Sequence, residues 1–309
     1  MLVDGVEVLA WAQANGGAAG SFNTYNLETT RAIITAAEAE NAPIFLAVGR
    51  GALDYGGFEL LARMCVTAAT GASVPVALHL DHALELDLVE RAVGAGFTSF
   101  MVDGSALPLA DNISLLSRAR ALVADLSLEG ELGGVTGDED RAENPGTVGE
   151  RNPVSDALTD PNEAARLVAA TGVNSLAVAI GNAHGVYRGE PRLDLARLAA
   201  IHRIVPVPLV LHGASGLAPE LIRACIGNGV VKINVNTEIR RAFYASLGSG
   251  VARPDHGFDL VGLFTPAMSA MTGVVRSMIQ LFRSPEPIRA RVRSAGASTL
   301  FGNAPRWPT

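Results

Sequence analysis

Short apolar runs recur along this chain, and most are followed by a longer stretch whose apolar positions have helical spacing. The runs at 17–23, 44–48, 74–80, 99–102, 126–132, 175–179, 209–212 and 230–234 have the length of strands. Helical patterns occupy 27–40, 86–93, 110–124, 161–170, 193–202, 219–225 and 237–245. Apolar strands that alternate with helices indicate a parallel sheet crossed over by helices. Eight such units predict an α/β fold in which the sheet closes, a (β/α)8 TIM barrel. An open doubly wound sheet is the alternative. It would need a GxGxxG loop after its first strand, and Gly16-Gly17-Ala18-Ala19-Gly20 lacks that spacing.

Two regions break the rhythm. Residues 133–156 are polar, Gly-rich and acidic, and they follow a strand that carries Glu131. A connection of that length is expected to be a functional lid. Beyond 250 come a helical pattern near 266–282 and an Arg/Pro-rich tail. The expected division is a barrel domain over 1–250 and a C-terminal helical extension over 251–309, packed on the barrel or on a partner subunit.

The polar residues cluster where such a barrel puts its chemistry. Strand C-termini converge on one mouth. The third strand ends in Asp81-His82, the fourth in Asp103-Gly104-Ser105 and the fifth in Glu131-Leu132-Gly133. The sixth runs into Asn182-Ala183-His184-Gly185, the seventh into His212-Gly213-Ala214-Ser215-Gly216, and the eighth into Asn234-Val235-Asn236-Thr237. An apolar strand gains no stability by ending in Asp-His, so the pair points to metal binding or proton movement. Three neutral imidazoles with an open position suit a catalytic zinc ion. His82, His184 and His212 sit on three strand ends and can face one centre. Three separately hydrogen-bonded histidines is the alternative reading. His79 is expected to pack or hydrogen-bond inside the barrel, His202 to lie on a helix surface, and His256 to have no catalytic part. The glycines and hydroxyls at 213–216 and 234–237 precede helices, where exposed N–H groups can cradle a phosphate. Ordinary turns and an Asn or Thr cap are the alternative there.

Composition narrows the class. A hydrophobic content of 49%, a mean hydropathy of +0.27 and 18% charged residues allow a large core and argue against disorder. The net charge of -7, with no basic stripe interleaved with aromatics, argues against nucleic-acid binding. Cys65 and Cys225 form no framework or thiolate site, so a reducing compartment is expected. Asp4 and Glu7 do not fit a signal peptide, and no apolar run is long enough for a membrane span. The expectation is a cytoplasmic enzyme with no membrane partner.

With these residues placed, the chain resembles the class II, metal-dependent ketose-bisphosphate aldolases of the fructose- and tagatose-bisphosphate type. The carriers are Phe22-Asn23, PVALHLDHA at 75–83, GFTSFMVDGS at 96–105 and GELGGVTGDED at 130–140. LAVAIGNAHGVYRGEP at 176–191, LVLHGASGL at 209–217 and KINVNTE at 232–238 complete the set. The resemblance implies that His82, His184 and His212 hold zinc, and that Asp103 and Glu131 match a second divalent-metal position. It implies that Asp81 exchanges the hydroxyl proton and that Glu139, on the lid, handles the carbon-bound proton. Asn23, Gly185, Gly213, Ala214, Ser215, Asn234, Val235, Asn236 and Thr237 match substrate and phosphate contacts, with sodium or potassium near the phosphate. The implied reaction makes or breaks a carbon–carbon bond between dihydroxyacetone phosphate and an aldehyde. It passes through an enediolate whose charge zinc holds as a Lewis acid. A homodimer or homotetramer is implied as well.

Two departures bear on the substrate. Gly49, in Val48-Gly49-Arg50-Gly51, stands where the family has a serine for the far phosphate. Val261, in Asp259-Leu260-Val261-Gly262, stands where it has an arginine given to the neighbouring subunit. Valine cannot replace a bidentate phosphate ligand. A ketose 1-phosphate or a carboxylate-bearing substrate is therefore expected over a bisphosphate, with Arg50 as a distal contact. The alternatives are a fructose- or tagatose-1,6-bisphosphate aldolase proper, a metal-dependent barrel hydrolase, and a non-catalytic sugar-phosphate-binding protein. Among the mouth motifs only Lys232 offers an amine for Schiff-base chemistry.

Overall fold

The computed structural model describes residues 1–135, 158–185, 187, 190–252 and 257–283. Eight parallel strands close into a barrel in sequence order. They are β1 (Ala19–Asn23), β2 (Ile44–Gly49), β3 (Val76–Ala83), β4 (Ser99–Val102), β5 (Ser127–Leu132), β6 (Ser175–Val178), β7 (Leu209–Leu211) and β8 (Val230–Val235). Closure comes from β1 lying beside β8, with Ser21 opposite Asn234. The open-sheet alternative is excluded.

The helices are α1 (Gly5–Ala14), α2 (Leu27–Ala39), α3 (Arg50–Gly56), α4 (Phe58–Gly71), α5 (Leu86–Ala95) and α6 (Leu109–Val123). They continue as α7 (Pro161–Thr171), α8 (Leu195–Ile204), α9 (Pro219–Gly227), α10 (Thr237–Val251) and α11 (Leu260–Phe282). The outward strand residues Leu46, Leu78, Phe100, Leu128 and Ile233 pack against this ring in one continuous core.

Helices α1, α3 and α4 are absent from the expected set. Helix α1 has few polar breaks, but Asp4 and Glu7 form a capping box that starts it. It lies across the N-terminal end of the barrel. Val8, Leu9 and Ala12 meet Ala19, Phe45, Ala77 and Val231 there as a small floor of apolar side chains. The N-terminal acids thus start a structural helix.

The C-terminal helix begins before the expected 266. Asp259 caps it by accepting from Gly262 N at 2.8 Å, and Pro266 lies inside the helix. Ala267, Met271, Val275, Ile279 and Phe282 are its buried face. Thr272 donates to Ala32 O at 3.1 Å and Arg276 pairs with Glu40 at 2.8 Å, which ties α11 to α2 and its C-terminal cap. Ala18 N donates to Phe282 O, so the helix end also holds the entry to β1.

Above the apolar floor the barrel interior turns polar. Ser21, His79, Ser99, Ser127, Glu129, Ser175 and Lys232 are all buried. Branched aliphatic layers are the usual filling of such a barrel. Burying charge instead disfavours folding unless every group is paired, and these groups lie directly beneath the mouth.

Candidate active site

Asp81 and His82 are adjacent, and neighbours on a regular strand face opposite sides. The strand breaks its pleat to solve this. His82 has a φ of 49°, and the β3–β4 register slips between Leu80 and Ala83. A left-handed residue at such a bulge re-aims its side chain. Asp81 keeps the inward face it shares with His79, and His82 reaches the other mouth histidines.

Asp81 is buried and held from both sides. Asn23 Nδ2 donates to Oδ2 at 2.8 Å, and Asn234 Nδ2 donates to Oδ1 at 3.2 Å. Burial opposes its ionisation, but the His79 and His82 rings and the Lys232 ammonium prevail. They hold the carboxyl well below the usual carboxylate range. A carboxylate so placed is ready to accept a proton.

The three predicted histidines converge. Ring centroids lie 5.2 Å apart for His82 and His184, 4.8 Å for His82 and His212, and 5.8 Å for His184 and His212. His82 Nδ1 faces Asp103 Oδ2 at 3.1 Å, and His212 Nε2 faces Glu129 Oε1 at 2.9 Å. Carboxylates accept, so those two ring nitrogens carry the protons. The opposite nitrogens, His82 Nε2 and His212 Nδ1, then point lone pairs at each other over 3.0 Å. Two lone pairs in that position repel unless a cation or a proton lies between them. Burial lowers the pKa of His212, which favours the neutral form that ligates metal. The donor set of His82, His184 and His212, with one nitrogen of each within 4.8 Å of the others, therefore fits a divalent ion.

His82, Asp103 and Glu131 form a second such group that shares the His82 ring. Asp103 is braced by Ser105, whose N and Oγ donate to Oδ1 at 2.9 and 2.6 Å. Burial of Asp103 is outweighed by His82 and Ser105, which hold its carboxyl below the ordinary range.

The loops after β6 and β7 are locked together. Asn182 Nδ2 donates to His212 O at 2.9 Å, while its Oδ1 accepts from Ile180 N. The Tyr187 hydroxyl accepts from Ala183 N and donates to Gly213 O at 2.7 Å. Burial pushes the Tyr187 phenol up to about 12, so it stays a donor. Gly185 and Gly213 have φ of 87° and 62°, in the left-handed region that suits glycine.

The start of α10 differs from the expected cap. Asn236 occupies the cap position, yet its side chain makes no capping bond. Its Oδ1 instead accepts from the Tyr25 hydroxyl at 2.9 Å. The helix N–H groups are thus left without a side-chain cap, as an anion site requires. Ala214 and Val235 bury their side chains in the core, so only their backbones can serve a ligand. Ser215 Oγ and Gly216 N donate to the Glu238 carboxylate.

Arg50 lies on the exposed rim, paired with Asp54 at 3.1 Å and Glu85 at 3.2 Å. His79 is inside the barrel against Ser99, and His202 is exposed on α8. Glu139, expected on a lid, and His256 lie outside the described residues. Lys232 is fully buried, with Nζ 2.8 Å from Glu129 Oε2, so it is no free amine for a Schiff base. Sequence reasoning missed Glu129. The available signal was its spacing of two from Glu131, which puts both on the inner face of β5.

A closed barrel with histidines and carboxylates on its strand ends defines a (β/α)8 enzyme fold whose mouth is fitted to a divalent ion. Comparison with known proteins narrows this. The profile for class II fructose-bisphosphate aldolase matches residues 3–286. A fructose-bisphosphate aldolase of Thermus caldophilus is 39% identical over 309 residues, covering 92% of this chain and 99% of that protein. The crystal structure of the YdjI aldolase of Escherichia coli K12 is 32% identical with a TM-score of 0.80, covering 91% of this chain and 97% of that one. The fructose-bisphosphate aldolase of Campylobacter jejuni, 21% identical, shares the fold with a TM-score of 0.69 over 91% of this chain and 95% of its own. The chain belongs to the class II fructose-bisphosphate aldolase family, and it is an aldehyde-lyase. Zinc dependence is general in that family. No described helix is long and apolar enough to cross a membrane.

Proposed function

We propose that this aldolase joins dihydroxyacetone phosphate to an aldehyde, and cleaves the product, on a ketose that carries one phosphate. The observation that carries the reading is the pair of facing lone pairs on His82 and His212, with the Asp81 carboxylate beside them. When bound by His82, His184 and His212, a zinc ion supplies Lewis acidity toward a carbonyl and its neighbouring hydroxyl. A second divalent ion would be held by Asp103 and Glu131.

In the cleavage direction Asp81 takes the proton from the hydroxyl that becomes the aldehyde. Asn23 and Asn234 hold the carboxylate so that it does not swing away as it does so. Glu139 returns a proton to carbon in this reading. Gly185, Gly213, Ala214 and Ser215, with Asn234, Val235, Asn236 and Thr237, bind the phosphate half through backbone N–H groups and hydroxyls, beside sodium or potassium. Ser215 must exchange its bond to Glu238 for one to the phosphate.

The single-phosphate preference rests on the far rim. Gly49 offers no side chain, Val261 brings no charge to the partner's site that the resemblance assigns it to, and the Arg50 guanidinium already meets Asp54 and Glu85. A neutral far end suits this rim better than a carboxylate, which would have to displace an acid from Arg50. The name of the 39%-identical relative favours the other reading, fructose 1,6-bisphosphate as substrate. Steady-state kinetics on ketose 1-phosphates and on fructose and tagatose 1,6-bisphosphate decide between them. We expect kcat/KM to be higher on a ketose 1-phosphate, and a higher value on either bisphosphate overturns the preference.

The same reading takes residues 1–250 as the barrel and 251–309 as an extension that serves a homodimer or homotetramer. Exposed Phe258, Leu260 and Val261 at the start of α11 support an apolar contact there. A monomeric mass by light scattering removes that part.

A further inference from the structure

The reaction read above leaves one group of buried charges unused. Lys232 Nζ sits inside the barrel, 2.8 Å from Glu129 Oε2 and 3.2 Å from His79 Nε2. The other oxygen of Glu129 is 2.9 Å from His212 Nε2. His79 Nδ1 meets Ser99 Oγ at 2.8 Å, and its Nε2 lies 3.6 Å from Asp81 Oδ1. Lys232, Glu129, His79 and His212 are each no more than 2% exposed. One ammonium therefore lies beneath both the ring expected to bind metal and the carboxylate expected to move a proton.

Such a network is costly to bury and adds nothing that aliphatic side chains would not provide for the barrel. Its geometry has a direct consequence. His212 can present Nδ1 to the mouth only if its proton stays on Nε2, and a carboxylate at Nε2 enforces that tautomer. Glu129 can remain a carboxylate in the dry interior only if a cation is beside it. Lys232 Nζ, 2.8 Å from Oε2, is that cation. Lys232 also reaches the His79 ring.

We propose that Glu129 and Lys232 are positioning residues. The lysine anchors one carboxylate oxygen of the glutamate, and the other oxygen fixes the tautomer and orientation of His212 so that Nδ1 is offered to the metal. This rests on the metal reading above, and it assigns the buried lysine a role with no covalent chemistry.

Two measurements test it on the full-length protein. The first needs no substitution. In 15N-histidine spectra of the zinc-loaded wild type, His212 should show Nε2 protonated and Nδ1 bound. A spectrum with Nε2 bound overturns the proposal. The second is the double variant Glu129→Gln/Lys232→Met, which removes both charges together so that neither is left buried without the other. Zinc affinity by chelator competition should fall about 10–100-fold relative to wild type. The far-UV spectrum and the unfolding midpoint of the metal-free protein should change little. A double variant that binds zinc within twofold of wild type, or one that loses affinity only in proportion to lost folding, overturns the proposal. If the wild type itself takes up no zinc, the metal reading fails first, and that outcome is distinct from the other two.

Discussion

At the scale of single residues the site depends on who holds which proton. His82 gives one to Asp103, His212 gives one to Glu129, and both are left with a lone pair on the mouth side. His212→Ala should therefore abolish stoichiometric zinc, as metal analysis after dialysis will show. Asp81→Ala should keep the zinc and lose turnover by about 10²–10⁴-fold, the usual range for a general acid or base. Near-normal rates in Asp81→Ala would assign the proton to another group. The same residues make stability depend on pH. Burial lowers His79 and His212, Lys232 lowering both further and His82 also lowering His212, so the unfolded chain binds more protons than the folded one below about pH 6.5. Stability of the metal-free protein is then full above that value and lost as pH falls through it. The depressed Asp81, Asp103 and Glu129 add a further loss in the acid range below about pH 4. Thermal unfolding midpoints of chelated protein from pH 8 down to pH 4 will check this, and a flat profile between pH 7 and pH 5 would contradict it.

At the scale of elements, two local departures from regular geometry build the mouth. The bulge in β3 turns His82 toward the other rings, and the glycine turn after β7 lets two loops touch. A Cβ on Gly213 would lie 2.3 Å from Ala183 O, closer than any real contact, and the φ of 62° is unfavourable for alanine as well. Gly213→Ala should separate the β6 and β7 loops. We expect a rise in KM for the phosphorylated substrate and weaker inorganic phosphate inhibition, with the secondary structure intact. Unchanged values for both would show that the loop contact does not shape the cradle. The strands themselves were legible in the sequence because each is an apolar run of the right length between turns. The ends were less so. Helix α11 was expected to start at a proline, but capping by Asp259 and apolar packing, including the stacking of Phe264 on Phe243, carry it back to Leu260. Tertiary contact overrode the local stop signal. Asn236 shows the same thing in reverse, since a good capping residue is drawn away by Tyr25 from the end of the neighbouring strand.

At the scale of the whole molecule, the barrel is apolar below and polar above. Helix α1 and its apolar partners close the N-terminal end, the polar layer of Glu129, Lys232 and His79 follows, and the strand ends that carry the histidines crown it. Chemistry collects at the mouth because that is where eight strand ends meet and loops can vary without disturbing the core. Helix α11 completes the outer ring between α10 and α2, with Arg276 and Arg283 both reaching Glu40. Read alone, the sequence determined the alternation of strands and helices, the closed barrel, and the placing of His82, His184 and His212 at its strand ends. Those follow from short-range periodicity and from topology, which one chain displays in order. It did not disclose Glu129 beneath His212, the pairing of Lys232, the bulge at His82 or the diverted Asn236. Each of these depends on partners that the folded barrel brings to one place. Which buried charge meets which, and which ring nitrogen keeps its proton, is settled only when the folded interior excludes water and leaves each polar group the partners within its reach.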